Sequence, residues 1–214
     1  MTVDYWNGLI YPTPFLSGDA RSTKALLLLI LTGILTIIVN FNKNVRLTTN
    51  NKTLFLFIFI ASLLIFKTAL FSVCKNLALQ IIKDGEGASK LITVLVRGTS
   101  SKKISKKIAL SIANSPLVKT AIAAGDANWG RIIMAIGKTN LKLNLTKLRI
   151  IFGNHIIASN GKRDDDYNEE IVSKYMKNDE INILIDFGKK TNQARVWTCD
   201  LTHDYIDING SYRN

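Results

Sequence analysis

Two long apolar runs constrain the first third of this chain more than any other feature. They cover Leu26–Val39 and Leu54–Phe66, and the polar, basic stretch Asn40–Lys52 separates them. With 14 and 13 residues, each run is shorter than the roughly 18–20 residues that a helix needs to cross a bilayer. We therefore expect two buried helices. Two short membrane helices remain the alternative, because extending the second run to Val73 lengthens it at the cost of one charge.

The second run leads into a segment with helical periodicity. Apolar residues recur there at the spacing of one helix face, at Phe66, Leu70, Val73, Leu77 and Ile81. Such a stripe is typical of a helix that packs its apolar side against a protein core. We expect this helix to be buried along the stripe and to end at Lys83–Gly87, where two glycines flank Glu86.

Composition limits the partners that the chain can have. Its formal net charge of +12 would ordinarily suggest nucleic acid or an anionic membrane. The lysines are scattered along the whole chain, however, and no RNP or zinc-finger signature is present, so we expect no nucleic-acid partner. Two distant cysteines, Cys74 and Cys199, and two histidines favour a reducing, cytoplasmic location without disulfides. We expect neither a metal site nor a cofactor.

The second half reads as alternating strands and helices. Leu91–Val96 is apolar on both faces and predicts an interior strand. Ser101–Ala113 predicts a helix, with isoleucines four apart and lysines on the other face. The remaining predictions are strands at Leu148–Phe152, His155–Ala158 and Ile181–Ile185, a hairpin turn at Asn160-Gly161, a helix at Tyr167–Met176, and final strands at Trp197–Leu201 and His203–Ile208.

The run Asn114–Arg131 is rich in turn chemistry. Gly125-Asp126 and Trp129-Gly130 combine glycine, which reaches unusual backbone angles, with side chains that bond nearby amides. A turn of this kind can hold the backbone against a ligand or a facing element. From these residues alone we predict a tight turn tethered by a buried Trp129.

Several long motifs of this chain resemble one enzyme family. They are NSPLVKTA at Asn114–Ala121, GDANWGRIIMAIG at Gly125–Gly137, KDGEGASK at Lys83–Lys90, WTCDLTHDYIDING at Trp197–Gly210 and SYRN at Ser211–Asn214. In order and spacing they resemble the second half of the bifunctional ornithine acetyltransferase/N-acetylglutamate synthase (ArgJ) family. The resemblance covers Phe66–Asn214, and the first half of the family is absent.

The resemblance implies a fold and a division of the chain. We expect a mixed α/β fold, an incomplete layered α/β sandwich of the DmpA/ArgJ type, with strands in the middle and helices outside. Residues 66–214 would form an ArgJ β-chain-like domain. Residues 1–65 would form a divergent, apolar N-terminal segment with only a faint likeness at Ser22-Thr23.

The resemblance also implies a substrate site. In the family, the acid that matches Glu86 contacts substrate, and so do an asparagine of the C-terminal tail and the residue five positions later. Asn209 matches that asparagine, and Asn214 stands where family members have Thr or Ser. A glycine-framed carboxylate such as Glu86 can bind an ammonium group of ornithine through a charge-assisted hydrogen bond. We therefore expect Glu86 and Asn209 to lie together.

The implied reaction is acetyl transfer from N-acetylornithine to glutamate through an N-terminal threonine. Removal of Met1 would expose Thr2, but Val3-Asp4-Tyr5 is unlike the family's opening, so we assign no catalytic residue. We expect a truncated or separately encoded second chain, inactive without a first (alpha) chain and forming a hetero-oligomer with it. The alternatives are an inactive remnant or structural subunit, and a small membrane-associated protein.

Overall fold

A computed structural model describes residues 2–3, 33, 49–188 and 191–211 of the chain. Apart from Gly33, the predicted helix at Leu26–Val39 lies outside these residues, and so does Asn214. The chain divides into two compact units, one formed by Met1–Gly8 with Ala78–Asn214 and the other by Leu9–Leu77.

The described residues form six helices and seven strands. The helices are α1 (Thr49–Lys83), α2 (Lys102–Ala113), α3 (Pro116–Ala123), α4 (Trp129–Gly137), α5 (Glu169–Tyr175) and α6 (His203–Gly210). The strands are β1 (Thr2–Val3), β2 (Leu91–Arg97), β3 (Arg149–Phe152), β4 (His155–Ser159), β5 (Lys162–Arg163), β6 (Glu180–Asp186) and β7 (Gln193–Cys199). This mixed α/β architecture confirms the predicted fold class.

All seven strands belong to one sheet, in the order β1-β7-β2-β6-β3-β4-β5. Strand β2 lies inside the sheet, parallel to β6 and antiparallel to β7, as its apolar sequence predicts. At one end of the sheet, Leu91 at the start of β2 pairs with Cys199 at the end of β7. The hairpin between β4 and β5 turns at Asn160-Gly161, as predicted, with positive φ at both residues.

One face of the sheet carries the core. The strand predicted at Ile181–Ile185 is confirmed as part of β6, and its isoleucines, at every second position, are at most 1% exposed. Buried side chains of α2, α3, α4 and α5 join the same apolar cluster. The isoleucines of α2 face inward while its lysines remain exposed, as the helical spacing predicts.

Polar residues define where four of these helices begin. Ser101, Ser115, Asn128 and Asn168 precede α2 to α5, and each side chain accepts a hydrogen bond from a backbone amide in the first turn. Asn128 therefore converts part of the predicted turn into a helix start. Trp129 is the first residue of α4 and is half-buried, so the predicted turn around a buried tryptophan is wrong at this position.

Two further predictions are wrong. His203–Ile208 is part of helix α6 and not a final strand. The stripe along α1 is exposed, with Phe66, Leu70 and Leu77 each near half of their full exposure. A helical stripe shows which side chains can pack together, but burial also requires an element that covers them.

Candidate ligand-binding site

The loop that follows α1 brings Glu86 to the edge of the sheet where β2 begins. Helix α1 ends at Lys83, as predicted, and Gly87 has φ of +65°, a conformation that favours glycine. A Cβ atom at Gly87 would lie 2.5 Å from the backbone nitrogen of Tyr205 in α6. The loop therefore packs backbone to backbone against the start of α6, and only glycine allows this approach.

A buried carboxylate also holds this loop in place, through hydrogen bonds to the residues that follow Gly87. Asp200, which follows β7 directly and is 2% exposed, accepts hydrogen bonds from the backbone amides of Ser89 (2.8 Å) and Lys90 (3.0 Å). The hydroxyl of Ser89 donates a third hydrogen bond to Asp200, at 2.5 Å. Charge-assisted bonds of this kind are the strong ones in a protein interior. Asp200 thus fixes the backbone at Ser89 and Lys90, three and four residues after Glu86.

Thr202 links the same loop to α6. Its hydroxyl donates a hydrogen bond of 2.6 Å to the backbone oxygen of Gly87, and it occupies the residue before the helix. The chain then turns into α6, which carries Asn209 on its last turn. The position of the loop relative to α6 is therefore fixed by the hydrogen bond from Thr202 and by the close approach of Gly87 to Tyr205.

This arrangement of the loop and α6 brings Glu86 and Asn209 into direct contact. The side-chain amide of Asn209 donates a hydrogen bond of 2.7 Å to Oε2 of Glu86 and another of 2.8 Å to the backbone oxygen of Tyr205. The two partners are 123 positions apart in the sequence, and both side chains are exposed. The arrangement presents an anchored carboxylate to solvent, which is the chemistry that an ammonium group requires.

Two lysines border this edge of the sheet. Nζ of Lys119 in α3 lies 3.8 Å from Sγ of Cys199. Cys199 in turn would lie 3.2 Å from a Cβ atom at Gly85, next to Glu86. Nζ of Lys90 donates hydrogen bonds to the backbone oxygens of Ile122 and Ala123, at the carboxyl end of α3. The NSPLVKTA motif therefore contributes α3 to the surroundings of the Glu86 loop.

The structure thus brings together two of the three site residues predicted from the sequence. Asn214 lies outside the described residues, and Thr2 is described only through its backbone pairing with Thr198 in β1 and β7. Sequence reasoning missed Asp200 and Thr202. Their signal is an acid placed directly after an apolar strand, followed two residues later by a residue type that often precedes a helix.

Known proteins share this chain's sequence and its fold. The sequence model of the ArgJ family matches residues 44–214. The chain belongs to the ArgJ family. It is similar to the arginine biosynthesis bifunctional protein ArgJ of Mesorhizobium japonicum, with 53% identity over 149 residues, and to that of Bartonella quintana, with 51% identity over 150 residues. These alignments cover 70% of this chain.

A solved structure supports the same assignment. The crystal structure of the arginine biosynthesis bifunctional protein ArgJ from Bacillus halodurans aligns with a TM-score of 0.65 and 38% identity, covering 69% of each chain. The chain spans about a third (36%) of the length of the ArgJ proteins of Mesorhizobium and Bartonella.

Proposed function

We propose that this chain is the substrate-binding second-chain part of an acetyltransferase of arginine biosynthesis. The acetyl group would leave the nitrogen of N-acetylornithine and pass through a threonine ester to the nitrogen of glutamate. The similar proteins are named arginine biosynthesis bifunctional protein ArgJ, which supports the assignment to this pathway. The reaction would take place in the cytoplasm.

The observation that carries the proposal is the hydrogen bond of 2.7 Å between Asn209 and Glu86. It joins two motifs that both resemble the family and that the chain separates by 123 positions. In our proposal the second carboxylate oxygen of Glu86 accepts a hydrogen bond from an ammonium group of the amino-acid ligand. Asn209 holds the carboxylate in orientation, and its own amide can both donate and accept.

A second part of the enzyme would complete the site. Helix α6 has no buried residue, and it exposes Tyr205, Ile206 and Ile208 by 44%, 62% and 40% next to Asn209. Exposed apolar side chains grouped beside a binding residue are typical of a protein interface. We propose that a first chain covers α6 and supplies the oxyanion donors, so that a hetero-oligomer forms and this chain alone is inactive.

An acetyl-transfer assay tests the proposal. Transfer from N-acetylornithine to glutamate is measured with this chain alone, and then after co-expression with the N-terminal part of the Mesorhizobium japonicum ArgJ protein. We expect no activity in the first case and measurable transfer in the second. Absence of transfer from the co-purified mixture would contradict the proposal and favour an inactive remnant.

Variants in the Glu86 loop make the assay specific. Glu86→Gln keeps the shape of the side chain but removes its charge, so we expect at least a roughly tenfold rise in KM, equivalent to about 1.4 kcal/mol. Asp84→Asn removes another exposed acid of the same loop and serves as the matched control. Equal effects of the two variants would show that Glu86 has no special role.

A further inference from the structure

The contact between Glu86 and Asn209 depends on something other than the two side chains themselves. Both are exposed, and a hydrogen bond between exposed groups competes with water. Such a bond persists only where the two backbones are already held at the right distance. Helix α6 contains no buried residue, so core packing does not place Asn209. In the described part of the chain, the contacts between the Glu86 loop and the start of α6 must set this distance.

Asp200 makes the larger share of these contacts. Its Oδ1 accepts hydrogen bonds from the backbone amides of Ser89 and Lys90, and its Oδ2 accepts one from the hydroxyl of Ser89. The backbone amide of Asp200 also donates a hydrogen bond of 3.2 Å to the backbone oxygen of Lys90. Asp200 is therefore bonded to two consecutive residues of the loop, through its side chain and its backbone.

The same short segment leads into the helix that carries Asn209. Thr202, two residues after Asp200, donates to the backbone oxygen of Gly87 and directly precedes α6. Bonds to Asp200 and Thr202 thus hold the loop at residues 87, 89 and 90, next to Glu86. Any movement of Asp200 relative to the loop would change the distance between the Glu86 loop and α6.

The burial of Asp200 separates its role from direct ligand binding. Only 2% of its surface is exposed, and both carboxylate oxygens accept hydrogen bonds from the chain itself. Asp200 therefore presents no group to a ligand that binds at the exposed carboxylate of Glu86.

We propose that Asp200 is the positioning residue of the Glu86–Asn209 pair. It holds the loop backbone at the distance from α6 that the pair requires, and it contributes to ligand affinity only in this way. This inference rests on the proposed function, because it concerns the same ligand site. It adds a residue that acts on the ligand without touching it.

The affinity for N-acetylornithine, measured by calorimetry on the complex with the Mesorhizobium first-chain part, tests this inference. Asp200→Ala removes every side-chain contact. Asp200→Asn removes the charge, but its amide oxygen can accept from both backbone amides, and its NH₂ group can donate to the Ser89 hydroxyl. Asp186→Ala is the matched control. Asp186 is also 2% exposed, but it pairs with Arg97, at the other end of β2.

We expect Asp200→Ala to weaken binding at least about tenfold, because a small displacement of a binding group is costly. Asp200→Asn should stay within about threefold of the wild type, since it keeps the loop in place. Asp186→Ala should lower the stability of the fold but change the affinity less than about twofold. Equal losses in Asp200→Ala and Asp200→Asn would overturn the inference and assign the effect to the charge of Asp200. Unchanged affinity in Asp200→Ala would overturn it too.

Circular dichroism checks that Asp200→Ala remains folded. If it does not fold, Ser89→Ala takes its place, because it removes a single contact of Asp200 at an exposed residue. We expect this milder variant to weaken binding about threefold, and an unchanged affinity would overturn the inference.

A second measurement, made without ligand, separates this inference from the proposed function. The side-chain amide signals of Asn209 are identified in the NMR spectrum of the full chain by their absence from Asn209→Ala. Asp200→Ala should move them in the same direction as Glu86→Gln does, whereas Asp186→Ala should leave them in place. Unmoved signals in Asp200→Ala would overturn the inference. A wild-type complex that does not bind N-acetylornithine would contradict only the proposed function.

Discussion

The unit that contains the sheet and the exposed part of α1 (Leu56–Leu77) both carry large apolar side chains, but only the former buries them. That unit, Met1–Gly8 with Ala78–Asn214, is called the sheet unit below. In β6 the isoleucines occupy every second position and are at most 1% exposed, because neighbouring strands and helices cover them. Between Leu56 and Leu77 of α1 the large apolar residues lie on several sides of the helix and are 40–72% exposed. Hydrophobicity alone therefore does not produce burial. A strand with an apolar residue at every second position has one apolar face for neighbouring elements to cover. A helix that is apolar on all sides requires apolar surroundings on all sides.

The largest expected effect tests this difference directly. Ile183→Ala removes a side chain from the core and should reduce the free energy of unfolding by roughly 3–4 kcal/mol, because it leaves a cavity. Leu64→Ala, at a position that is 61% exposed, should cost less than about 0.5 kcal/mol. Urea unfolding followed by the fluorescence of Trp129 and Trp197 measures both. A similar cost for the two variants would remove the contrast between the regions.

Two glycines with positive φ give the next comparison. Gly87→Ala should cost about 3 kcal/mol, because the backbone is strained for alanine and the new Cβ meets Tyr205. Gly125 has φ of +75° but no atom within 4 Å of such a Cβ, so Gly125→Ala should cost about 1 kcal/mol. The unfolding midpoints of the two variants measure the contribution of the close contact. Equal midpoints would mean that the loop and α6 are not held together at Gly87.

A buried ionic group should make the sheet unit sensitive to acid. Burial alone would raise the pKa of Asp186, but hydrogen bonds from Arg97, the Gly188 amide and Arg149 outweigh it and lower the pKa below its ordinary 3.8. The ionised group therefore stabilises the fold above pH 3.8, and this contribution is lost as the pH falls through the lowered pKa.

Asp186→Asn should accordingly reduce the free energy of unfolding by about 2 kcal/mol near neutral pH. The difference from the wild type should shrink as the pH falls below 3.8. Urea unfolding at a series of pH values measures it. A difference that stays constant across the series would contradict the assignment of the charge to Asp186.

Much of the sheet unit follows from local pattern. The alternation in β6, the helix that begins after Ser101 and the hairpin at Asn160-Gly161 each depend on residues close in sequence, and the structure confirms them. The strand predicted at His203–Ile208 is wrong, because alternating apolar residues also occur in a short helix. The contact between Thr202 and Gly87 helps to decide where that helix begins. Local pattern contains no information on such distant contacts.

The candidate site shows the same division. Glu86 and Asn209 could be selected through the family resemblance, and the structure places them together. Asp200 could not be selected, because its role depends on the Ser89 and Lys90 amides 111 and 110 positions away. The exposure of the apolar residues of α1 could not be predicted from the sequence either. A stripe of apolar residues has the same period whether or not another element covers it.

A double-mutant cycle on ligand binding tests the central claim that Glu86 and Asn209 act as one binding element. The affinity for N-acetylornithine is measured by calorimetry on the complex with the Mesorhizobium first-chain part, for the wild type, Glu86→Gln, Asn209→Ala and the combination. We predict that each single variant weakens binding about tenfold or more, and that the double variant is weakened by at least about 0.5 kcal/mol less than the sum. An unchanged dissociation constant for Glu86→Gln, or strictly additive losses, would contradict the claim.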